Sequence, residues 1–197
     1  MYKQSNELVF MDEWIDVLDI EGNKTGKTCQ KSVVHKKGLF HATVHIWFYT
    51  SKGKILLQQR AASKAIYPLL WDVSVAGHVN SGESLLTAAI REVKEEIGIT
   101  IGENDLKKIG VMKCFQSYKS GIIDNEFHTV FISKLDEDIK NLNAQKEEVE
   151  ALKIVSPSTF KELLEDSEHN SHFVTSNKTY YDFILKKITD FIKKNKP

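Results

Sequence analysis

The run Trp14–Ile20 reads as a strand, closed by the turn residues Glu21, Gly22, Asn23 and Lys24 and by Gly26. His41–Thr50 predicts a second strand and Lys54–Gln59 a third, with Ser51, Lys52 and Gly53 as the hairpin turn between them. Trp71–Val75 predicts a short strand that delivers the chain to Gly77. Ile109–Phe115 and Phe127–Lys134 predict two more, separated by a polar turn around Lys119, Ser120 and Gly121. Helical spacing takes over elsewhere. Leu86, Ile90, Val93 and Ile97 form an apolar stripe on one predicted helix. A second starts at Ser156-Pro157, serine as cap and proline at the first position, and runs to about Glu165. The last spans 179–194, where Tyr181, Ile184, Ile188 and Phe191 make a stripe suited to packing on the domain edge. This order predicts an α/β fold, a mixed sheet sandwiched between helices. No internal repeat or low-complexity tract interrupts residues 1–197, so a single domain is expected.

The polar side of the first helix is unusual. Glu92, Glu95 and Glu96 are spaced three and four apart, so the three carboxylates are neighbours and repel by a few tenths of a kcal/mol per pair. A solvated acidic face is the bland reading. Clustered oxygens on a rigid element suit a hard divalent cation, Mg²⁺ or Mn²⁺. Gly77 and Gly82 punctuate the preceding loop, and Gly98 stands where a left-handed C-cap would end the helix.

Composition narrows the partners. Lys+Arg and Asp+Glu both number 27 in 197 residues, so bulk charge points to neither nucleic acid nor a membrane surface. Hydrophobic residues at 41% are ordinary for a soluble globular protein. Cys29 and Cys114 are far apart and show no metal or redox spacing, which fits reduced thiols. No signal-peptide core or transmembrane-length run is present, and a cytoplasmic location is the expectation.

The stretch from Gly77 to Ile99 also matches the Nudix signature G-x5-E-x7-R-E-U-x-E-E-x-G-U, where U is aliphatic. Gly77, Glu83, Arg91, Glu92, Val93, Glu95, Glu96, Gly98 and Ile99 fill every specified slot. The chain therefore resembles a Nudix hydrolase. That resemblance implies the Nudix fold, an α/β/α sandwich, and metal-dependent hydrolysis of a diphosphate linkage in a nucleotide or related small molecule. It implies Glu92, Glu95 and Glu96 as metal ligands, completed by the Gly77 carbonyl, with Arg91 turned away from them to orient Glu83 and the loop. Glu147 and Glu148 are candidates for an extra ligand or base. Such hydrolases are often dimers, so a homodimer is an expectation, although no interface is legible in the sequence.

A second resemblance covers about residues 13–160. Gln59-Arg60-Ala61-Ala62-Ser63-Lys64, Trp71, Gly77-His78 and Asp124-Asn125-Glu126 look like type I isopentenyl-diphosphate isomerases, which share the fold. It implies a second metal or polar substrate site from His41, His78, Glu126, Asp124 and, about one residue out of place, His35. Those isomerases use a cysteine immediately before the glycine, and here that position is Ala76. The intact carboxylate helix and the missing cysteine together favour an isomerase-like hydrolase. An isomerase using another acid–base pair and a non-catalytic nucleotide-binding module are the alternatives. His41 and His45, four apart on a strand, are about 13 Å apart and cannot share one ion. Arg60 and Lys64 are candidate phosphate contacts, Arg as a bidentate fork and Lys as a point charge. Tyr67, Phe115 and Tyr118 are candidates for stacking on a base.

Overall fold

A computed structural model describes residues 12–194. Strand β3 (His41–Tyr49) sets the plan. Its side chains alternate between faces, as strand geometry requires. Val44, Ile46 and Phe48 enter one core cluster and Trp47 enters another. Strand β4 (Ile55–Arg60) divides the same way, Leu56 to the first cluster and Ile55 and Leu57 to the second. A sheet apolar on both faces must be covered on both. Helix α2 (Leu85–Ile97) covers the first, and helices α3 (Pro157–Glu165) and α4 (Lys178–Lys194) cover the second.

The main sheet runs β5 (Trp71–Asp72), β4, β3, β8 (Ile123–Lys134), β7 (Lys107–Ser117). Strand β6 (Val75–His78) is added beside β3, and β9 (Val149–Val155) beside β4. The β3–β8 pair is parallel and the other pairs are antiparallel, so the sheet is mixed, as expected. Strands β3 and β4 pair only at Tyr49–Ile55 and then splay apart. Ser74 stitches the gap: its hydroxyl donates to the Leu56 carbonyl at 2.6 Å and accepts from the Phe48 N–H at 2.9 Å. This is why the predicted strand Trp71–Val75 is two strands. Val73 and Ser74 turn inward between them, leaving β6 to pair with β3.

Three elements were not expected. Strand β2 (Lys24–Gln30) pairs with β1 (Trp14–Leu18) in a separate ribbon and is almost wholly exposed, so it carries no apolar alternation to read. Helix α1 (Lys31–Lys37) has seven residues and fully buries only Val34. Strand β9 (VEALKIV) carries no clean alternation either: Ala151-Leu152 and Ile154-Val155 are adjacent apolar pairs, and only Val149 and Val155 at its ends are fully buried.

Helix α2 is fixed at both ends and along one side. The Ser84 side chain caps it by accepting from the Thr87 N–H, and Gly98 ends it in the left-handed conformation expected, φ 76°. Val93 and Ile97 are fully buried, each contributing on the order of 1.5–3 kcal/mol. In the last helix, Tyr180, Tyr181, Ile184 and Ile188 are buried against the chain's own core. No helix among the described residues is long and apolar enough to cross a membrane.

Candidate active site

Register arranges the chemistry around strand β6. The sequence register pairs Ala76 with His45, Gly77 with Val44 and His78 with Thr43. On the far side of β3, His41 pairs with Glu126 and Thr43 with His128, and Glu126 pairs in turn with Cys114. Paired residues share a face, so Ala76 and His78 stand with His41, Thr43, His45, Glu126 and His128. Gly77, with Val44, belongs to the face that α2 covers.

On the α2 face, Glu92 lies directly against Gly77. A Cβ at that glycine would fall 2.0 Å from the Glu92 carboxyl carbon, so only glycine admits the carboxylate there. Glu96, 4% exposed, accepts from the Ala76 N–H at 3.3 Å. With its amide turned to satisfy both neighbours, Gln58 donates to Glu96 Oε2 at 3.0 Å and to the Ser74 carbonyl. Burial, reinforced by the Glu92 and Glu148 charges, pushes the Glu96 carboxyl well above the usual range. Burial likewise raises Glu92 to about 6, against the pull of Arg91. Two buried carboxylates side by side are an electrostatic conflict that a divalent cation resolves. The donor set fits such an ion. Glu95 is different: its side chain is half exposed.

Arg91 holds this arrangement together. Its Nε and Nη2 each reach a Glu83 oxygen at 3.0 Å, and Nη2 also donates to the His78 carbonyl at 2.9 Å. Its Nη1 donates to Glu92 at 2.7 Å and Glu95 at 3.0 Å. Burial opposes the charge, but Glu83 and Glu92 hold the guanidinium firmly protonated. The expected Arg91–Glu83 clamp is present, whereas Arg91 does not turn away from the carboxylates: it touches two of them. At i, i+1 and i, i+4 it is close enough to reach both.

The opposite face holds a histidine cluster. Ligand atoms of His35, His41, His78 and Glu126 all lie within 4.8 Å of one another. His41 Nδ1 donates to the Leu39 carbonyl at 2.9 Å, and its Nε2 lies 3.2 Å from Glu126. His35 sits between Asp124 (2.8 Å) and His78 (3.0 Å). Burial works against ionised Glu126, yet its hydrogen bond from His41 and the nearby His128 and His78 hold it well below the usual carboxylate range. Asp124 bonds His35 and lies one step behind the cluster. Helix α1 brings His35 into position, which the sequence offset had obscured. Cys114, far from Ala76 in sequence, is placed opposite Glu126; burial and the charges of Glu126 and Asp124 push its thiol up to about 12.

A family model described as NUDIX domain matches residues 39–176. The chain belongs to the Nudix family of hydrolases. It is 35% identical over 158 residues to Nudix hydrolase 3 of Arabidopsis thaliana, covering 78% of this chain but only 20% of that protein, so it spans about a fifth of that relative's length. It is also 34% identical over 126 residues to the isopentenyl-diphosphate Delta-isomerase of Serratia proteamaculans, covering 64% of this chain and 68% of the relative. In fold it is similar to a crystal structure from Deinococcus radiodurans, with a TM-score of 0.66 at 18% identity over 89% of this chain and 99% of that one. The relationship places this Nudix protein in the subgroup that resembles type I isopentenyl-diphosphate isomerases, without their cysteine.

The remaining candidates fall around these two constellations. Lys64 pairs with Glu148, and both bear electrostatically on Glu96, so a loop far along the chain reaches the carboxylate site. Arg60 donates through Nε to the Ile66 carbonyl at 3.0 Å, bracing the loop before β5, and its charge is felt at His45 and Asp72. Tyr67 and Tyr118 meet edge to face, centroids 5.8 Å apart, whereas Phe115 is on the outer surface against Phe40. Gln58, His128 and Tyr180 were not anticipated, because only strand register and the α4 docking bring them to the site. A hollow of about 480 Å³ lined by Leu18, Val79, Leu85, Val111 and Phe127 lies on the α2 face and takes in only Glu83 of these residues.

Proposed function

We propose that this Nudix protein is a Mg²⁺- or Mn²⁺-dependent hydrolase that cleaves a diphosphate linkage in a nucleotide or related small molecule. The observation that carries this is the buried Glu92–Glu96 pair against Gly77, with both carboxyls displaced upward and, among the described residues, no cationic side chain hydrogen-bonded to Glu96. Glu92, Glu96 and Glu95 with the Gly77 carbonyl would hold the ion. Bound there, it neutralises phosphate charge and lowers the pKa of a coordinated water. Arg91 and Glu83 keep Glu92 and the 78–83 loop in place. Glu148 is available as a further ligand or base, with Lys64 beside it. Arg60 and Lys64 supply positive charge for phosphate oxygens.

The histidine cluster forms a second site. Three imidazoles and one carboxylate suit a borderline divalent ion, and His35, His41, His78 and Glu126 would hold it, with Asp124 orienting His35. Isomerisation of isopentenyl diphosphate is a second reading, favoured by Cys114 facing Glu126 and opposed by the methyl group of Ala76. Both are tested by a mass-spectrometric product screen in D₂O with Mg²⁺ over nucleoside di- and triphosphates, nucleotide sugars, dinucleotides and isopentenyl diphosphate. Cleavage of a diphosphate supports the hydrolase. Deuterium in isopentenyl diphosphate without cleavage replaces it with the isomerase, and saturable binding with neither product replaces it with a binding module.

A further inference from the structure

Away from both constellations, one lysine has an imidazole and an indole for neighbours. Strand β9 places Lys153 opposite Leu57 of β4, and Trp71 pairs with Gln59, two residues further along β4. Lys153 Nζ lies 3.9 Å from the Trp71 ring centroid and is in hydrogen-bond contact with His172 Nε2. The His172 ring stacks on Trp71 in turn, with planes 9° apart. A strap after α3 delivers His172 and clamps the Trp71 backbone. Trp71 N–H donates to the Ser171 carbonyl at 3.0 Å, and Phe173 N–H donates to the Trp71 carbonyl at 2.7 Å. Ser171 and Phe173, on either side of His172, are both left-handed, with φ 54° and 62°. Such backbone is strained for residues that carry side chains, and here it holds one imidazole in place.

The tautomer of His172 follows from its partners. Nδ1 lies 2.7 Å from the Asn170 carbonyl, which can only accept, so Nδ1 carries the proton. The lone pair on Nε2 therefore faces the Lys153 amine. No carboxylate among the described residues pairs with that amine, whereas Lys24, Lys31, Lys64, Lys134 and Lys161 each have one. Burial works against the charge on Lys153, and burial with the nearby lysine keeps His172 neutral despite the Asn170 carbonyl. The indole face pulls the other way, favouring the ammonium and holding the side chain over the ring. An amine against an imidazole that a carbonyl orients has the order of nucleophile, base and orienting group. We propose that Lys153 is a nucleophilic lysine, acylated on Nζ by small acyl phosphates with His172 as its base. The amine lone pair bonds to the acyl carbon, the carbon–oxygen bond to phosphate breaks, and phosphate leaves with those electrons. The proton that the nitrogen must lose passes to His172 Nε2 and from there to water. An acyl phosphate suits the place because its anionic leaving group meets no paired carboxylate at this amine. Lys153 is only partly buried, so the acyl donor reaches it from solvent. The product is a neutral amide on the face of Trp71.

Peptide mass spectrometry of the whole chain tests this. The protein is incubated near neutral pH with limiting acetyl phosphate, and the initial rate of acetylation is read at each lysine. Lys153 is expected to react at least about tenfold faster than the exposed Lys27. His172→Gln should bring Lys153 to within about threefold of Lys27, leave the Lys27 rate unchanged and keep the circular dichroism spectrum. Where that variant does not fold, the wild type alone decides. Its Lys153 rate is expected to level off with rising pH while the Lys27 rate still climbs. A parallel climb, a wild-type Lys153 rate within about threefold of Lys27, or an undiminished rate in folded His172→Gln overturns the proposal.

Discussion

The Glu92 carboxylate occupies the space that any side chain on Gly77 would need: a Cβ there lies 2.0 Å from its carboxyl carbon. Gly77→Ala must therefore expel Glu92 from its place beside the Gly77 carbonyl. The expected result is a folded protein with at least about a hundredfold lower kcat/KM, some 2.7 kcal/mol of transition-state stabilisation. Near-normal turnover in a variant with an unchanged circular dichroism spectrum counts against the placement of the metal.

Arg91 spends its donors on Glu83, Glu92, Glu95 and the His78 carbonyl. Removing it leaves Glu83 and Glu92 without their cation. Arg91→Ala should cost about 2–4 kcal/mol of stability in Mg²⁺-free buffer, read by urea unfolding. Arg91→Lys should recover only a minority of that, because a point charge cannot fork onto both Glu83 oxygens. A loss below about 0.5 kcal/mol would make the clamp incidental.

Metal binding should be pH-dependent with a defined sign. In the metal-free chain Glu92 is raised from 4.5 to about 6, and an ion must displace its proton. Mg²⁺ affinity is therefore expected to strengthen as pH rises through about 6 and to go on strengthening above it, because the more deeply buried Glu96 must lose its proton as well. Linkage runs the other way without metal. A carboxyl whose folded pKa is raised contributes stability below about 4.5 that is lost as pH rises through about 6. Glu92→Gln should accordingly gain on the wild type across that window in chelator. Calorimetric titration and thermal melts at pH 5 and 7.5 check both signs.

The two constellations should load separately. Elemental analysis after incubation with Mn²⁺ is expected to find two ions per chain in the wild type. His78→Ala should reduce this to one while keeping the carboxylate-site ion. A single ion in both proteins would confine metal to the α2 face.

The carboxylate site was legible because it is local. Gly77, Glu83, Arg91, Glu92 and Glu96 lie within one loop and one helix, where spacing determines who meets whom. The same locality made the Gly98 end of α2 and the capping of α3 by Ser156 and Pro157 readable. Contacts made by register were not. Nothing in the spacing of Gln58, Lys64 and Glu148 relates them to Glu96, and Cys114 reaches Glu126 only because β7 pairs with β8. Strand β2 was invisible for a different reason: it faces water on nearly all its length, so no hydrophobic pattern marks it. The place of His35 beside His78 depends on a seven-residue helix too short to show a stripe.

The most direct test is turnover of the cleaved diphosphate by Glu96→Gln at saturating Mg²⁺, beside its thermal melt. Glutamine keeps the shape and removes the charge of a buried carboxylate that repels its neighbours. The account predicts a rate at least about a thousandfold lower, with a melting temperature in Mg²⁺-free buffer equal to or above that of the wild type. A rate within a few fold of the wild type would contradict the assignment of the Glu92–Glu96 pair as the catalytic metal site.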